Sequence, residues 1–281
     1  MSDEAWIRLS LFVGVLAVMA VWELLAPKRV LVQGYSRWPG NLGIVVVDGV
    51  VVRLVFPAGA IGAALWAAEH GWGVLNLVEL PGWLSLFIAV ALLDLAIYLQ
   101  HLLVHAVPIL WRLHMVHHAD LDIDVTTGLR FHPIEIIFSM LLKIVVVVLL
   151  GAPAMAVLIF ELILNGMAMF NHSNVRLPQA IDSVVRCLLV TPDMHRVHHS
   201  VIRRETNSNF GFNLSIWDRL FGTYTAQPQM GHQNMLIGLD LFQDEPAHRL
   251  KWMLRLPFTG LLGQYPIMKF GRGPKNGDAD V

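Results

Sequence analysis

The sequence predicts an all-α integral membrane protein, a bundle of about three transmembrane helices plus a helical hairpin, carrying a helical cap on the cytoplasmic side. Two observations point there. Of the 281 residues, 56% are hydrophobic and 15% charged, against about 45–50% and about 25% in a soluble domain. Four apolar stretches also approach or exceed the length of a bilayer crossing, roughly 20 residues. A chain this apolar does not stay disordered in water. With 20 Lys+Arg against 21 Asp+Glu, there is no positive excess for phosphates, so no nucleic acid is expected as a partner. Cys187 is the single cysteine, which excludes intrachain disulfides and cysteine-built zinc or iron–sulfur sites.

The first stretch, residues 6–26, follows Asp3 and Glu4 rather than a basic segment, and reads as a retained membrane helix instead of a cleaved signal. The second, 44–68, contains Asp48 and Arg53. Charge inside a membrane rarely faces lipid, so these two are expected at the inner mouth of the bundle. The third, 83–100, leads directly into His101. The fourth, 136–170, is too long for one crossing and carries Gly151 and Pro153 near its middle. Proline breaks a helix there, which predicts a hairpin that enters and leaves on one face.

Loop charge gives the orientation. Lys28, Arg29 and Arg37 lie in the loop after the first stretch, residues 69–82 hold no Lys or Arg, and arginines crowd the chain beyond Phe170. The N-terminus is then outside and the histidines cytoplasmic. The chain divides into N-terminal transmembrane helices (1–82), a histidine-rich segment (83–225), and a C-terminal interfacial segment and tail (226–281). The interfacial reading rests on Leu250, Trp252, Met253, Leu254 and Leu256 interleaved with Arg249, Lys251 and Arg255. The last ten residues, from Arg272, read as frayed.

The histidines carry the chemistry. His101-Leu-Leu-Val-His105 is HxxxH, while His114-Met-Val-His117-His118 and His195-Arg-Val-His198-His199 are both HxxHH. Residues three and four apart share a helix face, so HxxxH presents two imidazoles to one point and HxxHH three, the adjacent histidine on the flank of that face. Neutral imidazole is the commonest transition-metal ligand. Eight of them exceed what one ion binds, and a di-metal site with about four apiece is the natural arithmetic. His172, closing the hairpin, counts as a ninth. His132, at the hairpin's start, reads equally as a ligand or as part of the surroundings, and His70, His232 and His248 as surface or loop residues.

Three readings compete with a di-metal enzyme. Haem linked to electron transfer would use His101 with His114 and His105 with His118, 13 residues apart, but Pro108 interrupts that segment and the third motif has no part in it. Zinc hydrolysis lacks an HExxH motif. A non-catalytic metal- or lipid-binding membrane protein has no need of nine imidazoles. Imidazole ligation is compatible with zinc or copper, but O₂ chemistry on a lipid needs redox change, which zinc does not supply, and this favours iron. Asp94 and Tyr98 share a helical stripe with His101 and His105, so Asp94 is expected to orient His101. Asp120, Asp122, Glu135 and Asp193 are alternatives for similar roles.

The order HxxxH, HxxHH, HxxHH on a membrane chain resembles the fatty acid hydroxylase/sterol desaturase superfamily of membrane di-iron enzymes. Arg130-Phe-His-Pro-Ile-Glu135, Phe170-Asn-His-Ser-Asn174, Thr191-Pro-Asp-Met-His and the run from Asn209 to Tyr224 are similar to its bacterial sterol-desaturase-like branch. The likeness covers roughly residues 84–224. It implies an oxidoreductase with two iron ions, a di-iron centre, held by His101, His105, His114, His117, His118, His172, His195, His198 and His199. It also implies O₂-dependent hydroxylation or desaturation of a lipid C–H bond, sterol, fatty acyl or related. Electrons would come from a separate donor protein, ferredoxin or cytochrome b5-like with its reductase. Some relatives carry a further histidine where this chain has Ala168.

Overall fold

The computed structural model describes residues 3–268. The tail expected to fray from Arg272 lies outside them. Among the described residues all regular structure is helical, apart from three isolated β-bridges. Five candidate membrane spans stand out by length and apolarity.

The first is α1, Asp3–Leu25. The second stretch differs from the single helix expected over 44–68. It is two helices, α2 (Trp38–Val55) and α3 (Gly59–Glu69). Pro57 lies in the interruption, where its ring and missing N–H stop the ladder. Helix α4 runs Gly82–Ala106, and Pro108 opens α5 (Pro108–His118), as a first-turn proline can. The fourth stretch breaks into α6 (Pro133–Leu150) and α7 (Ala154–Asn171). Its turn falls at the glycine and proline, with Gly151 in the left-handed region at φ 68°. Gly73, at φ 99°, abuts Gly151 so closely that a Cβ on Gly73 would collide with the Gly151 backbone.

Helices α6 and α7 both pack on α3 and α4, which also carry Ala60, Ala64 and Ala89 in the buried layer. Small side chains let these helices approach closely where dispersion, rather than water exclusion, holds them. Beyond α7 the chain forms short helices: α8 (Gln179–Val185), α9 (Pro192–His198), α10 (Arg203–Thr206), α11 (Ile216–Phe221), α12 (Gly231–Asn234) and α13 (Leu250–Arg255). Helix α13 inserts Met253 beside Ile44 of α2 and Trp111 and Met115 of α5. The cap is therefore stitched from both ends of the sequence.

Charge is handled by pairing. Arg37, a charge of the loop after the first stretch, is wholly buried among Asp120, Asp122 and Asp124. It binds Asp120 at 2.5 Å and pairs with Asp124, while Asn41 reaches Asp120 and Thr126. Lys28 likewise pairs with Asp193. Glu23, near the end of α1, accepts hydrogen bonds from the backbone of Val125 (2.7 Å) and Asn174 (2.6 Å). These contacts pin α1 and α2 to the loops that carry the histidines. Removing one member of a buried ion group leaves the others uncompensated, at a cost of about 3–5 kcal/mol. Arg37→Met should therefore lower thermal stability in detergent by about that much, and parental stability in that variant would show the cluster to be dispensable.

Candidate metal centre

Each histidine is placed by a helix end. His101 and His105 occupy the last turns of α4, and His114, His117 and His118 the last turn of α5. His172 follows the last residue of α7. The third motif sits on α9, started by Pro192 and by the Thr191 hydroxyl, which accepts the Met194 N–H at 3.3 Å. All nine side chains are buried.

They gather into two groups: His101, His105, His114, His118 and His198 in one, and His117, His172, His195 and His199 in the other. Within each group one nitrogen from every ring lies within 4.8 Å of all the rest. Neither HxxHH motif serves a single point. In α5 the i, i+4 pair His114 and His118 joins the first group and His117 the second; in α9, His195 and His199 join the second and His198 the first. Each short helix thus spans both groups.

In six of the nine rings the outward nitrogen is fixed. His101 Nδ1 donates to the Phe210 carbonyl (2.8 Å), His117 to Arg130 (3.2 Å), His172 to Ala168 (2.7 Å) and His198 to Ser208 (2.7 Å). His105 Nδ1 donates to Asn207 Oδ1 (3.1 Å), and His114 Nδ1 meets Glu135 Oε1 at 2.7 Å. A neutral imidazole has one N–H, so a ring that donates through Nδ1 turns an Nε2 lone pair inward. His117 and His172 bring two such lone pairs to 3.0 Å. Nε2 of His101, His114 and His198 has no protein partner at all. Burial, the largest cause, holds His117, His118, His195 and His199 well below the usual imidazole pKa and pushes His172 and His198 down to about 3. Protonation is therefore no remedy for the facing lone pairs. Buried, neutral imidazoles with inward lone pairs and outward N–H groups tied to acceptors are the donor set of a transition-metal site, and they fit two ions.

Aromatic rings wall the groups. Phe131 stacks on His117 at 4.5 Å, and Trp111 lies 4.9 Å from His105 and 5.4 Å from His118. A cavity of about 630 Å³ leads from this region into the bundle. Phe131, Glu135, Ala168 and Phe212 line it near the histidines, and Arg8, Lys143 and Glu161 farther in. Glu161 of α7 binds Arg8 of α1 at 2.6 Å and Lys143 of α6 at 2.8 Å. Asp48 and Arg53 also border the cavity; Asp48 is buried, as expected for intramembrane charge, whereas Arg53 is exposed.

Other positions differ from expectation. Asp94 does not orient His101: it accepts from the Trp217 indole (2.8 Å) and the Leu214 backbone (3.2 Å), bracing the segment that carries Phe210. Of the acidic alternatives, Glu135 alone touches a histidine of the two groups, whereas Asp120, Asp122 and Asp193 hold the cap together. His132 stays outside both groups and caps α6. His70 is exposed and stacks on Trp66, but His232 is buried, 3.8 Å from Asp193, not a surface residue. Sequence reading missed the backbone acceptors. Their local signal was Asn209, the non-glycine residue with positive φ (52°), whose side chain bridges the carbonyls of Met194 and Thr225. Asparagine tolerates that conformation, and the turn aims the Ser208 and Phe210 carbonyls at His198 and His101.

Residues 86–223, which contain all nine histidines, match the fatty acid hydroxylase family. Among curated proteins, the chain is similar to ornithine lipid hydroxylase OlsE of Rhizobium tropici, 34% identical over 136 residues, covering 48% of this chain and 40% of that protein. It is also similar to alkylglycerol monooxygenase of Xenopus tropicalis (31% identical, 56% of this chain, 35% of that protein) and of Homo sapiens (30% identical, 56% and 34%). The chain thus spans well under half the length of these relatives. No solved structure matches it.

Partners of metal-bound histidines usually contribute about 10–100-fold in metal affinity. Glu135→Ala should weaken metal binding by about that factor, measured by competition with a chelator, while His70→Ala should not. Equal affinities in the two variants would remove Glu135 from the site.

Proposed function

The chain belongs to the fatty acid hydroxylase family, and from that premise we propose that it is a membrane di-iron oxidoreductase that uses O₂ to hydroxylate a C–H bond of a lipid. The observation that carries this reading is the pair of buried imidazole groups at the end of an intramembrane cavity. His101, His105, His114, His118 and His198 would hold one ion, and His117, His172, His195 and His199 the other. Bound there, redox-active iron supplies reduction of O₂ and oxidation of an unactivated C–H bond, which zinc does not.

The chain's own residues supply the rest. Phe210, Ser208, Arg130 and Ala168 fix ring tautomers through their carbonyls, as Glu135 fixes His114. Phe131, Trp111 and Phe212 keep water from the imidazoles. The cavity admits a lipid from the bundle and sets which carbon reaches the histidines. Hydroxylation consumes O₂, two electrons and two protons for each C–H bond and releases water, so a separate electron-donor protein, ferredoxin or cytochrome b5-like, belongs to the proposal. The lipid is proposed to be a polar one, because the relatives' names specify an ornithine lipid and alkylglycerols. We also propose that the histidine end faces the cytoplasm and the N-terminus the opposite side.

Comparing the lipids of cells with and without the gene should reveal a species heavier by one oxygen, labelled when the cells grow under ¹⁸O₂. Purified protein should hold about two irons per chain, the number its two imidazole groups accommodate. His105→Ala should abolish the product. A mass loss of two hydrogens would make the enzyme a desaturase; lipids identical in the two strains would refute the reading.

A further inference from the structure

Three buried acceptor oxygens on the cavity wall have no partner in the protein: Asp48 Oδ1 of α2, Gln100 Oε1 of α4 and Glu135 Oε2 of α6. Asp48 is the most costly of them. It sits within a membrane-spanning stretch, is 8% exposed, and makes no hydrogen bond or ion pair. Nearby cations do not answer it. Arg8 and Lys143 both bind Glu161, and Arg53 turns its guanidinium to the Pro57 carbonyl at 3.3 Å. An intramembrane carboxyl group of this kind marks a functional site by default, and an unmet buried acceptor favours any ligand that brings a donor.

The position is informative. Asn41, seven residues before Asp48 on α2, binds Asp120 and Thr126 at the level of the cap. Seven residues of helix rise about 10 Å, so Asp48 lies about two helical turns above the cap. Glu135 and Gln100 are nearer still to the histidines: Glu135 binds His114, and Gln100 precedes His101 in the chain. All three acceptors therefore face one cavity, with Glu135 and Gln100 toward the metal centre and Asp48 farther along α2.

We propose that Asp48, with Gln100 and Glu135, binds a hydrogen-bond donor on the lipid, a hydroxyl or an ammonium group, so that carbons near the polar end rather than the far end of a chain meet the histidines. This rests on the lipid-oxidising reading of the same cavity and adds the orientation of its occupant. Asp48 is a positioning residue in this scheme, with no part in the chemistry itself.

The test uses full-length, metal-loaded protein in nanodiscs of phosphatidylcholine, whose headgroup has no N–H or O–H donor. Native mass spectrometry would compare binding of palmitoylglycerol with that of its dimethyl ether, and of hexadecylamine with that of hexadecyltrimethylammonium. At least one donor lipid should bind about tenfold or more tightly than its methylated partner, the factor expected of a buried hydrogen bond to a charged group. Asp48→Leu should erase that preference without changing iron content. Asp48→Asn keeps an acceptor but loses the charge: a preference for hexadecylamine lost in this variant identifies an ammonium ligand, and a retained preference for palmitoylglycerol identifies a hydroxyl. Equal binding of both partners in each pair by the parent protein would overturn the proposal, as would a preference that survives in Asp48→Leu. Should Asp48→Leu not fold, the parent comparison and Asp48→Asn still decide. O₂ consumption, followed separately, distinguishes a failed oxygenase from a failed donor site.

Discussion

An imidazole has two nitrogens, and the fold commits one of each of six rings outward to a carbonyl, amide or carboxylate oxygen. That requirement shapes the cap. The loop after α5 must bring the Arg130 carbonyl to His117, and the α7 end must leave the Ala168 carbonyl accessible to His172. Gly128 packs against that same carbonyl so closely that a Cβ would collide with it. The segment after α10 must turn back through Asn209 to reach His198 and His101. Irregular backbone is costly near a membrane unless its polar groups are satisfied; here the histidines satisfy several of them.

The buried charges serve the same end. Arg37 with its aspartates, Lys28 with Asp193 and Glu23 with two backbone amides tie the first two helices to loops distant in sequence. Their net worth for stability is small beside an apolar core of equal volume. Their value is directional: ion groups fix register, and the imidazoles on the loops so fixed must meet within a few ångströms.

Much of this was legible in the sequence. The break in the fourth apolar run was, because Gly151 and Pro153 punctuate it. The eight histidines of the three motifs were, because i, i+3 and i, i+4 spacing survives whatever the tertiary arrangement, whereas His172 was marked by its place at the end of the fourth apolar run. The sharing of each HxxHH between two groups was not, since spacing defines a face but not how many points that face meets. The partners of Arg37 were not, for a similar reason. A loop arginine looks the same in sequence whether it faces lipid headgroups or three aspartates some 80 residues away. Asp94 lay on the right stripe of α4, yet the Phe210 carbonyl reaches His101 first, and no periodicity reveals a backbone acceptor.

The stretch from Leu262 to Met268 lies beyond the part of the chain that matches the family. Even so, the Ile267 and Met268 amides donate to the carbonyls of His105 and Ala106. The Tyr265 carbonyl accepts from Asn207, the partner of His105, and the Tyr265 ring stacks on Trp111. A strap from outside the family segment thus finishes the end of α4 and steadies one ring of the centre. Evolution has consequently not left the histidine segment as a portable cassette, and a graft of residues 86–223 onto another membrane scaffold would arrive with its lid missing.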